Sequence, residues 1–327
     1  MATLPQQFQE PDTASPPTTG KLSPWTMASC NSSGDIWPHP VLSAYVGTLL
    51  SLGLLLNGLA LWLFCCRMRV WTETRVYMSN LAVADLLLLC ALPFMLRSLQ
   101  QPLESMSCQL PQGIYLANRY MSIGLITAIA VDRYLAVRHP LRSRRLRSPR
   151  RAAALCAALW LLVGGSLLGR WALDEQDGSN FCFGQARSNP RATVTSLVSF
   201  YLALAVLVFC SLQVVAGLAR RPVADAGQQQ STVKATRMVW ANLAVFVVCF
   251  LPLHVVLTVR LATGWRSCAF RHTVIIAGRL SDANCCLDAI GYCYYYLARE
   301  LQEAPEPPTL PSAKARRTQD SLSVTLT

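Results

Sequence analysis

The residues of this sequence that could do chemistry are few, and they stand inside otherwise apolar runs. Asp85 sits in Leu81-Ala82-Val83-Ala84-Asp85-Leu86-Leu87, Asn284 and Asp288 share another run, and Asn57 and Ser122 lie in two more. A carboxylate at bilayer depth with no basic partner is expensive, so it is either protonated or shares a small cation with neighbouring oxygens. Hydrogen bonding to water between helices is the plainer alternative. Asp132-Arg133-Tyr134 ends a further run, about 25 residues or 38 Å of helix after Cys108. An Asp beside an Arg at a membrane boundary makes a neutralised pair, and a pair that opens is a two-state switch in which Arg133 turns toward a partner. Arg119 lies 11 residues past Cys108, about 16 Å along a helix, too deep for easy snorkelling. Left unpaired there, its planar guanidinium needs a carboxylate or a phosphate; permanent pairing with Asp282 or helix carbonyls is the competing possibility.

Catalytic chemistry has no such support. The four histidines stand scattered at 39, 139, 254 and 272, and there is no GxSxG, HExxH or P-loop pattern. A retinal-type photoprotein needs a Schiff-base lysine, and the last apolar run has none.

The elements that hold these residues follow from composition. The chain has 327 residues, 53% hydrophobic and 14% charged, with a net charge of +12. A soluble domain carries about 25% charged residues, so most of this apolar surface must meet lipid. The basic residues fall in short clusters between apolar runs, which argues for topology and against nucleic acid. Spanning the hydrocarbon takes roughly 20 apolar residues, and seven runs qualify: about 41–66, 76–96, 108–137, 152–169, 193–219, 238–262 and 273–297. The third and seventh are the least apolar and are expected to be interior helices lining a polar cavity. The expected fold is all-α, a seven-transmembrane helix bundle.

Arginine and lysine concentrate after the odd-numbered spans, at Arg67 and Arg69, from Arg138 to Arg151, at Arg220 and Arg221, and in the tail. By the positive-inside rule that side is cytoplasmic, so the N-terminus is outside and the C-terminus inside. These loops and the tail account for the whole +12, leaving the outer half near neutral. Residues 1–40 read as an extracellular disordered arm, 41–300 as the seven-transmembrane domain and 301–327 as a cytoplasmic tail. No cleavable signal pattern opens the sequence, so span one is expected to serve as signal-anchor, and Met27 offers a second start. Asn31-Ser32-Ser33 is a glycosylation sequon on the outer side, and Ser312, Thr318, Ser321, Ser323 and Thr325 are candidate phosphosites. Of 13 cysteines only Cys30, Cys108, Cys182 and Cys268 are placed on the oxidising side. Cys108 and Cys182 make the natural pair; Cys30 with Cys268 is a second, with two free thiols as the alternative.

Seven features in order resemble the rhodopsin-like (class A) G-protein-coupled receptors: Asn57, the Leu81–Asp85 run, the span-three cysteine, Asp132-Arg133-Tyr134, Trp160, Phe246 with Cys249-Phe250-Leu251-Pro252, and Asp288-Ala289-Ile290-Gly291-Tyr292. The resemblance covers roughly residues 38–300. It implies a sodium pocket of Asp85, Ser122, Asn284 and Asp288, with Na+ as the one possible metal and no other cofactor. It also implies an Arg133 contact to a heterotrimeric G protein, with Phe250 in place of the usual toggle Trp and Tyr292 closing the switch. Arrestin is implied as a second cytoplasmic partner. Two departures stand out: Asp288-Ala289 replaces the usual Asn-Pro, and Ala203 stands where most members have Pro, so the usual kinks of spans seven and five lose their cause.

Five arginines, Arg97, Arg119, Arg170, Arg260 and Arg279, occupy the outer half against the carboxylate of Asp282. With Tyr120 and His254 in the walls, and Arg187 in a loop to steer ligands inward, they describe a cavity for a small anionic ligand. His254 as a satisfied bundle histidine, and snorkelling of the shallower arginines, are the alternatives. Closer resemblance, in Asn118-Arg119-Tyr120-Met121-Ser122 and Ser281–Asp288, is to a family member associated with kynurenic acid, other aromatic acids and lysophosphatidic acid. It suggests G proteins of the inhibitory and twelve/thirteen classes and a multi-pass plasma-membrane location. A chemokine- or peptide-type receptor of the same fold is the first alternative. A seven-span transporter is the second, disfavoured because no internal repeat is visible.

Overall fold

The computed structural model describes residues 39–67, 70–100, 105–139, 147–176, 190–219, 226–264 and 268–303, and each of these segments is built around helix. Helix α1 (His39–Trp62) runs on through one π-helical turn, Leu63–Arg67. Then come α2 (Glu73–Gln100), α3 (Ser105–Arg138), α4 (Pro149–Gln176), α5 (Pro190–Ala219) and α6 (Ala226–Thr263). The seventh span is in two pieces, α7 (Cys268–Asp282) and α8 (Asn284–Glu303). Six helices are long and apolar enough to cross a membrane; the divided seventh is not among them.

Local chemistry sets the ends. Ser148 caps α4 by accepting from the backbone N–H of Arg151 at 3.3 Å, and Pro149 takes the first helical position, where its missing N–H costs nothing. Thr72 caps α2 in the same way through Arg75. Gly264 ends α6 at φ 67°, its N–H bonded to the carbonyl of Arg260 at 3.0 Å, a left-handed closure that glycine adopts without strain.

α2 and α3 form the centre of the bundle. Half of the α2 span is buried (50%) against 11% of α4, so α4 is peripheral and its Leu161, Leu162 and Leu168 face outward. Outward leucines are the expected surface of a helix whose solvent is hydrocarbon. The backbones of α1 and α2 approach closely at Gly53, where an added Cβ would lie 2.7 Å from Leu89. The largest core cluster stacks aromatic rings from α5 and α6, with Phe200 parallel to Phe246 at 5.4 Å and Phe250 edge-on to Phe246 at 5.6 Å.

The seventh span breaks without proline. At Ala283 the ladder shortens, Ala283 N–H bonding to Leu280 at 3.3 Å and Cys286 N–H to Ala283 at 3.2 Å. Ser281, Asp282 and Asn284 are weak helix formers, all three buried, and the short side chains of Asp282 and Asn284 bond to other helices. The bend therefore lies a turn before Asp288-Ala289, where the sequence departs from the usual Asn-Pro.

Candidate functional site

The polar groups of the bundle gather in three layers along α3. The first surrounds Asp282, the last residue of α7, which is 3% exposed while Arg119 and Arg279 are 14% and 15% exposed. Tyr115 lies one turn before Arg119 on α3, so the two side chains meet. The Tyr115 hydroxyl donates to Asp282 Oδ1 at 2.7 Å and accepts from Arg119 Nη2 at 2.9 Å. Arg119 Nη2 itself stands 3.8 Å from Asp282 Oδ1, and Arg279 Nη1 donates to Asp282 Oδ2 at 3.2 Å. Arg279 also touches the sulfur of Met95, and its carbonyl accepts from Tyr45 of α1 at 2.6 Å. Among the described residues two guanidiniums thus share one carboxylate, an excess of one positive charge.

The second layer lies deeper, where α1, α2, α3 and α8 meet. Asn118 donates to Asp85 Oδ1 at 3.0 Å. Asn284 donates to both Ser122 Oγ and Asp288 Oδ2 at 3.2 Å, and Asn57 donates to the carbonyl of Cys285 at 3.0 Å. Four buried oxygens of this layer, Asp85 Oδ2, Asn284 Oδ1, Asn57 Oδ1 and the Tyr292 hydroxyl, have no partner among the described residues. Buried acceptors left open in this number call for water or a cation to complete them. No group of three or more His, Cys, Asp or Glu side chains among the described residues could hold a metal, so any ion here would rest on mixed carboxylate, amide and hydroxyl oxygens, the donor set of a hard cation.

The third layer is at the Asp132 end. Arg147, just before α4, binds Asp132 with two prongs, Nε to Oδ1 at 2.7 Å and Nη2 to Oδ2 at 3.0 Å, and reaches Glu73 at 3.4 Å. Burial alone would lower the Arg147 pKa, but the Asp132 carboxylate outweighs it and holds the guanidinium more firmly charged than usual. Thr74 donates to Asp132 Oδ2 at 3.3 Å and accepts from Arg133.

A family model described as 7 transmembrane receptor (rhodopsin family) matches residues 56–292. The chain belongs to that family. It is 63% identical over 308 residues to human G-protein coupled receptor 35, covering 92% of this chain and 99% of the relative. To the mouse protein of that name it is 60% identical over 308 residues, 91% of this chain and 99% of the relative. Human lysophosphatidic acid receptor 4 is 30% identical over 323 residues, 91% of this chain and 84% of the relative. The protein is a multi-pass receptor of the plasma membrane that works through G proteins, and it is not an enzyme.

Of the two alternatives left open for Arg119, the structure shows pairing with Asp282, at 3.8 Å and through Tyr115. One expectation from the receptor's sequence is corrected. Asp132 is not neutralised by its neighbour Arg133; among the described residues its ion pair is with Arg147. Successive residues on a helix point about 100° apart, so pairing within Asp132-Arg133 would require the arginine to fold back.

Of the five arginines expected in the outer half, Arg119 and Arg279 share a site, while Arg97 is exposed on α2 and Arg170 and Arg260 are partly buried on α4 and α6. Tyr120 bonds Ser196 of α5 at 3.4 Å. His254 is buried, bonded to the Phe250 carbonyl at 2.7 Å and stacked on Phe200 at 3.7 Å. Tyr134 meets His139 at 3.1 Å, and Tyr292 packs against Phe64. Cys108 is disulfide-bonded. Cys182, Cys30, Arg187, Asn31 and the five candidate phosphosites lie outside the described residues, as does the side chain of Cys268. Sequence reasoning missed Tyr115, Asn118, Thr74 and Arg147. The spacing of Tyr115 to Arg119 was a usable signal; Arg147 was hidden among the many arginines that topology alone explains.

Proposed function

We propose that this receptor senses a small acidic aromatic metabolite of the kynurenate kind, or lysophosphatidic acid, with the N-terminus and the Arg119 end outside the cell. The observation that carries the proposal is the charge count at Asp282: two arginines, Arg119 and Arg279, to one carboxylate, at 3.8 and 3.2 Å. A second carboxylate or a phosphate would balance that site and take up guanidinium donors in the planar geometry they favour. The names of relatives such as lysophosphatidic acid receptor 4 add weight for an anionic ligand.

The mechanism follows from the position of Asp282. It ends α7, and Asn284, one residue past the break at Ala283, opens α8, which carries Asp288 and Tyr292. A ligand anion that draws Arg119 or Arg279 away from Asp282 changes the forces on the end of α7, and the broken ladder at Ala283 passes the change to α8. Asp85, Ser122, Asn284 and Asp288 are the residues that would hold Na+, which when bound would supply a positive charge to offset their carboxylates. At the far end, parting of α5 and α6 exposes Arg133 to a G-protein helix. The inhibitory and twelve/thirteen classes are the G proteins proposed, with arrestin acting after phosphorylation of Ser312, Thr318, Ser321, Ser323 or Thr325.

The test is Arg119→Met, read as G-protein dissociation against kynurenate and lysophosphatidic acid concentration at matched surface expression. A charge-assisted bond of about 1.5–3 kcal/mol predicts a potency loss of roughly 10- to 150-fold for whichever acid is the ligand. Unchanged potency for both acids at normal expression would end the anion-site proposal.

A further inference from the structure

At the Asp132 end, two arginines stand within reach of one carboxylate, and only one of them holds it. Asp132 is 5% exposed, and its oxygens accept two prongs from Arg147 and one bond from Thr74. Arg133 reaches the same Thr74 hydroxyl from the other side, so the hydroxyl separates it from the carboxylate. The Nε of Arg133 is buried without a partner among the described residues. Its side chain lines a small cavity whose far walls are Leu207, Ser211 and Val214 of α5 and Val239 and Asn242 of α6. Arg133 is thus anchored by a single neutral acceptor and faces the two helices whose parting admits a G protein.

We infer that Arg147 is a positioning residue for the switch: by occupying the carboxylate of Asp132 it keeps that carboxylate from capturing Arg133, which stays available to the G protein. This rests on Arg133 being the G-protein contact proposed above. The competition is set by geometry. The Arg147 fork approaches Asp132 in the paired fashion that carboxylates bind best, and its remaining reach goes to Glu73 of α2, which ties it in place. Arg133, one residue along the same helix as Asp132, can bond the carboxylate only by bending back, and the Thr74 hydroxyl now fills that gap. Without Arg147, the buried carboxylate would keep only the Thr74 bond. An uncompensated buried charge recruits the nearest cation, which is Arg133. The variant would then hold Arg133 in an ion pair that activation must break.

The consequence is unusual in sign, since removing a contact that stabilises the resting bundle is expected to make the receptor harder to activate. The experiment measures G-protein dissociation by the full chain in cells, ligand-free and with kynurenate as the probe, on variants matched for surface expression. Arg147→Gln is expected to lower the ligand-free signal and to shift kynurenate potency about tenfold to weaker values, about 1.4 kcal/mol. Adding Asp132→Asn to it is expected to restore both, because no carboxylate remains to hold Arg133. Arg147→Lys, which keeps the charge and loses the fork, is expected to fall between. Unchanged signalling in Arg147→Gln overturns the inference, and so does a double variant as impaired as the single one, which would mark Arg147 as merely structural. Arg133→Ala separates the two layers of the claim. If it signals like the parent, the assignment of Arg133 as the contact fails; if it is silent while Arg147→Gln is unaffected, the contact stands and the competition alone fails.

Discussion

Replacing Asp282 with Asn is the sharpest perturbation of the ligand site, because it removes one charge and almost no volume. The Tyr115 hydroxyl, now 2.7 Å from Asp282 Oδ1, still finds an acceptor in the amide oxygen. What is lost is the attraction to Arg119 at 3.8 Å and Arg279 at 3.2 Å. With an effective dielectric of about 20, each is roughly 4–5 kcal/mol before desolvation is subtracted. Removing one member of a buried pair costs about 3–5 kcal/mol in practice, since the partners are left uncompensated. The ligand-free variant should therefore be less stable. A ligand carboxylate, however, no longer competes with Asp282 and relieves two unbalanced guanidiniums. Recovering only about 1.4 kcal/mol of the lost stabilisation raises its affinity tenfold. The measurements are equilibrium binding of labelled kynurenate and lysophosphatidic acid to purified receptor, and thermal unfolding with and without each acid. The expected result is a lower ligand-free melting temperature, tighter binding of one acid by about tenfold or more, and a larger ligand-induced rise in melting temperature than in the parent. Weaker binding of both acids with ligand-free stability intact would show that Asp282 orients the ligand and does not compete with it.

Two further predictions concern the deeper bundle. Asp85→Asn should abolish the dependence of agonist affinity on NaCl when choline replaces sodium at constant ionic strength; a parent receptor indifferent to sodium, or a variant that keeps the parent's dependence, refutes the proposed ion site. Gly53→Val should lower the thermal stability of purified receptor by roughly 1–3 kcal/mol through overpacking against Leu89, 2.7 Å from the new Cβ. Leu89→Ala in the same chain should return part of the loss, and no loss in the single variant would show that α1 and α2 can move apart there.

Most of the fold was legible because hydrocarbon is an undemanding solvent. Seven apolar runs marked the spans; α2 to α6 each contain one of them whole, and the first run, 41–66, ends inside the π-helical turn that follows α1. The division of the seventh span was not legible, since Ser281-Asp282-Ala283-Asn284 contains neither proline nor glycine. It arises from tertiary demands, with Asp282 held by Arg279 and Tyr115 while Asn284 bonds Ser122 and Asp288. The intramembrane charges announced themselves by cost, but their partners did not. Whether Asp132 meets Arg133 or Arg147 depends on where the start of α4 lies against α3, a packing fact that no spacing encodes.

The same local device recurs at both ends of α3. Near Cys108, Asp282 is shared by Arg279 directly and by Arg119, with the Tyr115 hydroxyl between them. At the other end, Asp132 is held by Arg147 directly and linked to Arg133 through the Thr74 hydroxyl. Arg119 and Arg133 are fourteen residues apart, about 21 Å and just under four turns, so they leave α3 on nearly the same side. A hydroxyl that accepts from an arginine and donates to an aspartate is a poor clamp, because it gives the arginine a neutral partner in place of a charged one. It does spare both groups the cost of being buried unpaired. Arg133, whose hydrogen bond among the described residues goes to that neutral hydroxyl, is the more easily released of the two, since Arg119 also stands 3.8 Å from the Asp282 carboxylate. In the proposed mechanism the group that releases the arginine is a ligand anion at one end and a G-protein helix at the other, and coupling between them needs only that α2, α3 and α8, linked by Asn118–Asp85 and Asn284–Ser122, favour both releases in one arrangement.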